Sequence, residues 1–218
     1  MKIVFCLPGK SFSGRFLRCW SELLAWCINN GISVSLQQYY SCNIYYVRNM
    51  CLGGNILNGT LQKPYNGQLD YDYIMWIDSD IIFTVEQFKT LLNRKQDVVS
   101  GLYLMEDGLN YATVKNWDES YFLQHGYFKF LQPHDIENKK DLIQVHYTGM
   151  GFMLIKKGVT ESIEYPWFRP EFVNIGNNLK DFTMEDVAFC RSIIRNGYSL
   201  YVDPTVVVGH EKTRVLIN

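Results

Sequence analysis

The chain has 218 residues, about one and a half times the usual ~150 of a domain, so one continuous domain is expected. Hydrophobic residues make up 47% and charged residues 20%, a globular balance that excludes a disordered chain, which lacks the apolar surface to offset its entropy. Lys and Arg number 21 against 22 Asp and Glu, a net charge of -1, so no global basic field exists to hold nucleic acid.

Ile3 to Leu7 is a continuous apolar run ending at Pro8-Gly9, which predicts a buried strand followed by a loop. Phe12, Phe16, Leu17, Trp20, Leu23, Leu24, Cys27 and Ile28 recur by threes and fours. They predict an amphipathic helix that starts near Ser11 or Ser13 and closes near Asn30-Gly31. A second strand is expected over Ile32 to Leu36 and a helix over Ile44 to Leu52, carrying Arg48 and Asn49. Residues 53–70, rich in Gly, Asn, Gln and Pro, read as a long loop. Tyr73 to Ile77 is apolar throughout, as a strand covered on both faces should be. Thr84 and Gln87 form a capping box for a helix to about Asn93, and Asp97 to Leu104 reads as the next strand. Residues 105–142 are mixed. Leu142 to Tyr147 and Phe152 to Lys156 are strand-like, Thr183 is expected to cap a helix through Ile194, and Ser199 to Val202 and Thr205 to Val208 are the last strands. Strand alternating with helix in the first half implies a mostly parallel α/β sheet flanked by helices.

The six Cys include no Cys-x-x-Cys pair, so zinc-ribbon and thioredoxin readings fail; several fall on apolar faces, where Cys acts as a small hydrophobe. The N-terminal apolar run is too short for a signal peptide, and no stretch reaches the ~18 apolar residues of a membrane span. A protein of a reducing, cytoplasmic compartment is expected (the host-cell cytoplasm if it is viral). Asn58-Gly59-Thr60 then reads as a turn and not as a glycosylation site.

Asp78-Ser79-Asp80 stands at the carboxyl end of a buried strand, the edge where open α/β sheets bind ligands. Two carboxylates one residue apart can share a divalent cation that completes its shell with phosphate oxygens and water. Asp and Ser also simply end strands. The apolar run upstream and the capped helix downstream favour the metal reading.

Tyr73 to Asp80 resembles the Asp-x-Asp segment of GT-A glycosyltransferases, and further segments agree with that family in order and approximate spacing. Leu7-Pro8-Gly9 is similar to the first loop of its nucleotide site, and Val47-Arg48-Asn49 to the helix beside the nucleotide. Thr148-Gly149-Met150-Gly151-Phe152 is similar to the segment under the donor sugar. Met184-Glu185-Asp186 resembles the acidic pair opening the acceptor-side helix, and Gly209-His210 the late histidine of the metal site. The resemblance spans nearly the whole chain and looks closest to compact domains of large DNA viruses and phages, including chlorella-virus enzymes that glycosylate the capsid protein.

The resemblance implies a GT-A-like single domain. About 1–104 would be its nucleotide-sugar half and about 105–218 its acceptor-side half. It implies a UDP-hexose donor, Mn2+ or Mg2+ as cofactor, and a glycan or glycoprotein acceptor. Asp80 and His210, with Asp78, would hold the metal; Leu7, Pro8, Gly9, Arg48, Asn49, Asp78, Ser79, Gly149 and Gly151 would surround the nucleotide sugar. Asp186 would be the base of an inverting transfer, with Glu185 in support. In a retaining enzyme Asp186 becomes a binding residue. Local chemistry offers plainer readings too: acids in a first helical turn suit the helix dipole, and the two glycines suit a tight turn. Trp117 and Trp167 are candidate acceptor-stacking surfaces, although most such aromatics are core. The segment 165–183 is a candidate lid before the helix of Asp186. The competing functions are a haloacid-dehalogenase-type phosphatase, a transferase acting on hydroxymethylated DNA bases, and a catalytically silent glycan-binding domain. The phosphatase is disfavoured by the late position of the Asp pair, and the silent domain by the retained carboxylates.

Overall fold

The computed structural model describes residues 1–176 and 178–213. β1 (Lys2–Pro8) turns Ile3, Phe5 and Leu7 to one core cluster and Val4 and Cys6 to the other, the period-2 alternation of a strand buried on both sides. α1 (Gly14–Asn29) starts where Ser13 Oγ accepts the Phe16 N–H, and it buries Phe16, Leu23 and Cys27. β2 (Ser33–Tyr39) returns beside β1, and α2 (Ile44–Cys51) follows from its cap Asn43. The long loop contains two short 3-10 turns, Ile56–Asn58 and Pro64–Gly67.

β3 (Tyr73–Ile77), β4 (Ile81–Ile82), α3 (Val85–Asn93) and β5 (Val98–Leu102) come next, with the Thr84–Gln87 capping box formed as expected. The second half holds β6 (Thr113–Val114), α4 (Glu119–His125), α5 (Pro133–Ile136), β7 (Ile143–Gln144), β8 (Tyr147–Thr148) and β9 (Phe152–Lys156). It continues with the hairpin of β10 (Phe172–Asn174) and β11 (Lys180–Phe182), then α6 (Glu185–Arg195), β12 (Tyr201–Val207) and β13 (Gly209–His210).

The main sheet has seven strands in the order β2-β1-β3-β9-β5-β12-β7. β1, β2, β3, β5 and β12 run one way; β9 and β7 run against them. α1 and α3 supply side chains to the cluster on one face, α2 and α6 to the cluster on the other. The mostly parallel, helix-flanked α/β fold is therefore as expected. The antiparallel β9 has a consequence for the site: its first residue, Phe152, pairs with Ile77, the last of β3. The segment 149–151 thus lies at the same edge as Asp78.

Three local expectations are corrected. The cap of α6 is Met184, because Thr183 Oγ1 is turned away to accept the Glu171 N–H. The two last strands are one, β12, and Pro204 is accommodated where pairing with β5 shifts register between Val202 and Val207. Leu142 to Tyr147 divides between β7, in the main sheet, and β8, which pairs with β6. Cys6, Cys27, Cys51 and Cys190 are buried and unlinked. Among the described residues no helix is long and apolar enough to cross a membrane.

Candidate active site

Chain segments converge at the carboxyl edge of β1, β3 and β5. After β3 the backbone folds into a turn, with the Asp78 N–H donating to Gly151 O at 3.0 Å and the Ile81 N–H to Asp78 O at 3.1 Å. Gly9, just beyond β1, lies so close to this turn that a Cβ there would meet Ser79 Cβ at 2.5 Å. Gly9 and Ser79 are thus brought together.

β13 pairs antiparallel with β4, setting His210 opposite Ile81, and the Glu211 N–H closes the pair on Asp80 O at 2.7 Å. This short ladder carries His210 to Asp80. His210 Nδ1 donates to Leu104 O at 2.6 Å, since a carbonyl can only accept, and Nε2 then faces Asp80 Oδ2 at 3.1 Å. Two lone pairs at that distance need a positive charge between them. A proton supplies it in one case, and the His210 pKa is raised chiefly by its bond to Asp80. A divalent cation would supply it in the other. An imidazole held through its far nitrogen by a carbonyl, next to a carboxylate, fits such an ion, and a mixed N/O pair suits Mn2+ better than Mg2+. Burial works against the Asp80 charge, but His210 and Lys212, whose ammonium lies 2.9 Å from the same oxygen, outweigh it and lower the carboxyl to about 2.

Asp78 does not join that pair. Both its oxygens are taken by the Arg48 guanidinium, at 3.1 and 3.0 Å, while Arg48 Nε donates to Glu185 at 3.1 Å. Arg48 is 3% exposed and lies over the Trp76 ring. Burial opposes its charge, yet the two carboxylates raise its pKa above the ordinary value. Arg48 is therefore a strut between the end of β3 and the start of α6. Expected at the metal and at the nucleotide, Asp78 and Arg48 are here bonded to each other. Glu185, buried against Arg48, is equally committed. Among the described residues no group of three His, Cys, Asp or Glu side chains could hold a metal ion. The candidate centre is the Asp80–His210 pair.

Asp186, the neighbour of Glu185, is partly exposed and accepts from the Tyr147 hydroxyl at 3.0 Å. Its pKa rises to about 6, first through burial and then through the Glu185 charge, against Arg48, Tyr147 and the Val187 N–H. That is the range in which a carboxylate serves as a general base near neutral pH.

Other expected residues have different partners. Asn49 spends its amide on the backbone: Nδ2 donates to Tyr45 O and Phe168 O, each at 2.8 Å, and Oδ1 accepts the Phe168 N–H at 3.3 Å. It anchors the segment after β9 and has no amide N–H left to donate to a nucleotide. Gly149 and Gly151 are required by protein packing. A Cβ on Gly149 would lie 2.0 Å from the Tyr103 hydroxyl, and one on Gly151 would lie 2.9 Å from the Tyr103 ring. Trp167 is 1% exposed in the core between Tyr165 and its neighbours, so it offers no stacking face. Trp117 has Phe128 at 3.9 Å and the Arg191 guanidinium at 4.7 Å from its ring, which leaves little face for a sugar.

Sequence reasoning missed Tyr103, Tyr147 and Lys212. Tyr103 is 9% exposed, accepts the Gly151 N–H at 3.2 Å and packs edge-on to His210 with centroids 5.1 Å apart. Its pKa is raised by burial and then by the charges of Asp78 and Asp186. It therefore packs against His210 and stands close enough to Asp78 and Asp186 to feel their charges. Its place one residue past β5, at the edge already singled out for Asp78, was the available signal.

No protein-family model matches the chain, and neither does any curated protein. Solved structures do. A197 from STIV aligns over 100% of this chain and 98% of its own, at 18% identity and a TM-score of 0.52. The catalytic domain of Drosophila β1,4-galactosyltransferase 7, in complex with xylobiose, aligns over 98% of this chain and 71% of its own, at 11% identity and a TM-score of 0.52. GalNAc-T7, solved with UDP, GalNAc and Mn2+, aligns over 96% of this chain at 13% identity and a TM-score of 0.50. The chain spans only 43% of that protein's length. At such identities the likeness is one of fold: the chain is a mostly parallel, helix-flanked α/β domain of GT-A-like architecture.

Proposed function

We propose that the chain is a metal-dependent glycosyltransferase that moves a hexose from a UDP-sugar to a hydroxyl acceptor, with inversion at the anomeric carbon. The carrying observation is the convergence at one sheet edge of the Asp80–His210 pair and of Asp186, a carboxyl whose pKa is raised to about 6. The solved structures support it: one is GalNAc-T7 with UDP, GalNAc and Mn2+, another a Drosophila β1,4-galactosyltransferase 7 mutant with manganese, UDP-Gal and xylobiose.

In this reading Asp80 and His210 hold Mn2+, which when bound offsets the charge that grows on the departing UDP. Pro8, Gly9 and Ser79 form the wall against the nucleotide, while the Leu7 side chain is buried in the core. Arg48 fixes Asp78 and Glu185, so the sheet edge and α6 keep their spacing. Asp186, held by the Tyr147 hydroxyl, takes the acceptor's proton as the new C–O bond forms. The acceptor favoured by the resemblance to large-DNA-virus enzymes is a glycan on a capsid protein, glycosylated in the cytoplasm.

The test is a UDP-release screen with UDP-glucose, UDP-galactose, UDP-GlcNAc and UDP-GalNAc in the presence of Mn2+. At least one donor should release UDP. Asp80→Asn and His210→Ala should lose Mn2+-dependent nucleotide binding, while Asp186→Asn should keep binding and lose transfer. A chain that releases no UDP from any donor, and whose nucleotide binding is indifferent to Asp80→Asn, would sink the proposal. A silent glycan-binding domain behaves in that way.

A further inference from the structure

Away from this edge, α6 and the region before β8 border an open pocket of about 220 Å³, against the ~30 Å³ a water occupies in the liquid. Trp117, His146, Arg191, Ile194 and Arg195 line it. Asp186 is in the first turn of α6. At 3.6 residues per turn, Arg191 and Arg195 are rotated from it by about 140° and about 180° around the helix. The pocket therefore faces away from the proposed base.

Its donors are unusual in having so little to donate to. Trp117 Nε1 and Arg191 Nε are both shielded from solvent and, among the described residues, have no hydrogen-bond partner. A native fold seldom leaves two buried N–H groups unsatisfied side by side. The Arg191 guanidinium lies over the Trp117 ring at 4.7 Å, a cation–π contact that does not use its N–H groups. Arg195 is paired through two nitrogens with Glu171 and also donates to Ser192 Oγ. Glu171 Oε2 stands 3.8 Å from Arg191 Nε, too far for a hydrogen bond. Two guanidiniums thus share one carboxylate, and a positive charge is left over. His146 donates Nδ1–H to Lys115 O at 2.8 Å, which leaves Nε2 uncommitted at the pocket wall. Ile194 supplies the apolar side.

We propose that this pocket is a second binding site, for a small oxyanion (carboxylate, sulfate or phosphate), with the Arg191 guanidinium as principal donor and the Trp117 indole N–H as the second. An oxyanion satisfies both orphaned N–H groups and balances the surplus charge, and a planar guanidinium is suited to grip one with two nitrogens. The anion can be a free ion or an acidic group carried on a sugar ring. The proposal stands apart from the transferase reading, since it needs neither donor nor metal.

Calorimetric titration of the full chain, without nucleotide or metal, tests it. The probes are inorganic phosphate, inorganic sulfate, methyl glucuronide and glucose 6-sulfate, with methyl glucoside as the neutral control. At least one anionic probe should bind and methyl glucoside should not. Arg191→Gln should weaken that binding tenfold or more, and Asp80→Asn should leave it unchanged. Trp117→Phe keeps the ring and removes the N–H; it should weaken binding several-fold and serves as the readout if Arg191→Gln fails to fold. Tighter binding of the sugar-borne anions identifies an acidic glycan as the ligand; equal or tighter binding of phosphate or sulfate identifies a free ion. The proposal is overturned if no anion binds, if the neutral sugar binds as well, or if affinity is unchanged in both variants.

Discussion

Asp186 is held ionised by the Arg48 charge, the Tyr147 hydroxyl and the Val187 N–H against two adverse influences, burial and the charge of Glu185. Transfer should therefore fail as pH falls through about 6, where the base takes up a proton. Removing the hydroxyl with Tyr147→Phe deletes a bond that favours the charged form, so the acid limb of the pH–rate profile should move to higher pH; a limb that stays in place would assign it to another group. Asp186→Asn should lower kcat by roughly 10²- to 10⁴-fold, the usual worth of a positioned base. The same shift has a consequence for stability. A folded pKa of about 6 lies above the ~3.9 of an unfolded aspartate. The stability this carboxyl contributes is full below that lower value and is lost as pH rises through about 6. Asp186→Asn should accordingly raise the melting temperature at pH 7.5 and do little at pH 4, a contrast that thermal scans at the two pH values would read.

At the scale of elements, α2 spends two adjacent buried polar residues on distant segments. Arg48 joins β3 to α6, and Asn49 pins the backbone of Phe168. Asn49→Ala leaves the Phe168 N–H and C=O without these partners in a buried setting, so unfolding stability should fall by about 1–3 kcal/mol, measured as a lower urea midpoint with unchanged slope. Gly149→Ala puts a methyl where the Tyr103 hydroxyl stands and should displace that ring from His210, weakening Mn2+ binding in a metal titration even though neither proposed ligand is touched. These links explain what the sequence could and could not reveal. β1, β3 and β9 were legible because a strand buried on both faces leaves an unbroken apolar run, and α1 and α3 because their caps are local. The β4–β13 ladder has two residues on each side, too few for any periodicity, yet it sets His210 against Asp80. The Arg48 pairs span 30 and 137 residues, and nothing local in Val47-Arg48-Asn49 separates a buried strut from a nucleotide contact. Thr183 satisfied a capping pattern and lost to a tertiary partner, Glu171.

Across the whole molecule, the expected division near residue 104 does not follow the sheet. β9, residues 152–156, lies between β3 and β5, and β12 lies beyond β5, so strands from the second half complete a sheet begun by the first. Without β9, β3 and β5 have no shared neighbour, and the backbone groups of both would face an open gap. Both core clusters also draw on both halves: Trp76 packs on Phe168 and Phe83 on Phe152. We infer one cooperative unit, with the nucleotide and acceptor sides as regions of it and not as separable domains. Tryptophan fluorescence, which samples Trp20, Trp26, Trp76, Trp117 and Trp167 across the structure, and far-ultraviolet circular dichroism should then give coincident urea transitions. A fragment of residues 1–104 should stay unfolded, because it retains β1, β2, β3 and β5 but not the strand that joins β3 to β5. Two separated transitions, or a fragment with a cooperative melt of its own, would show that the division near residue 104 is a physical boundary after all.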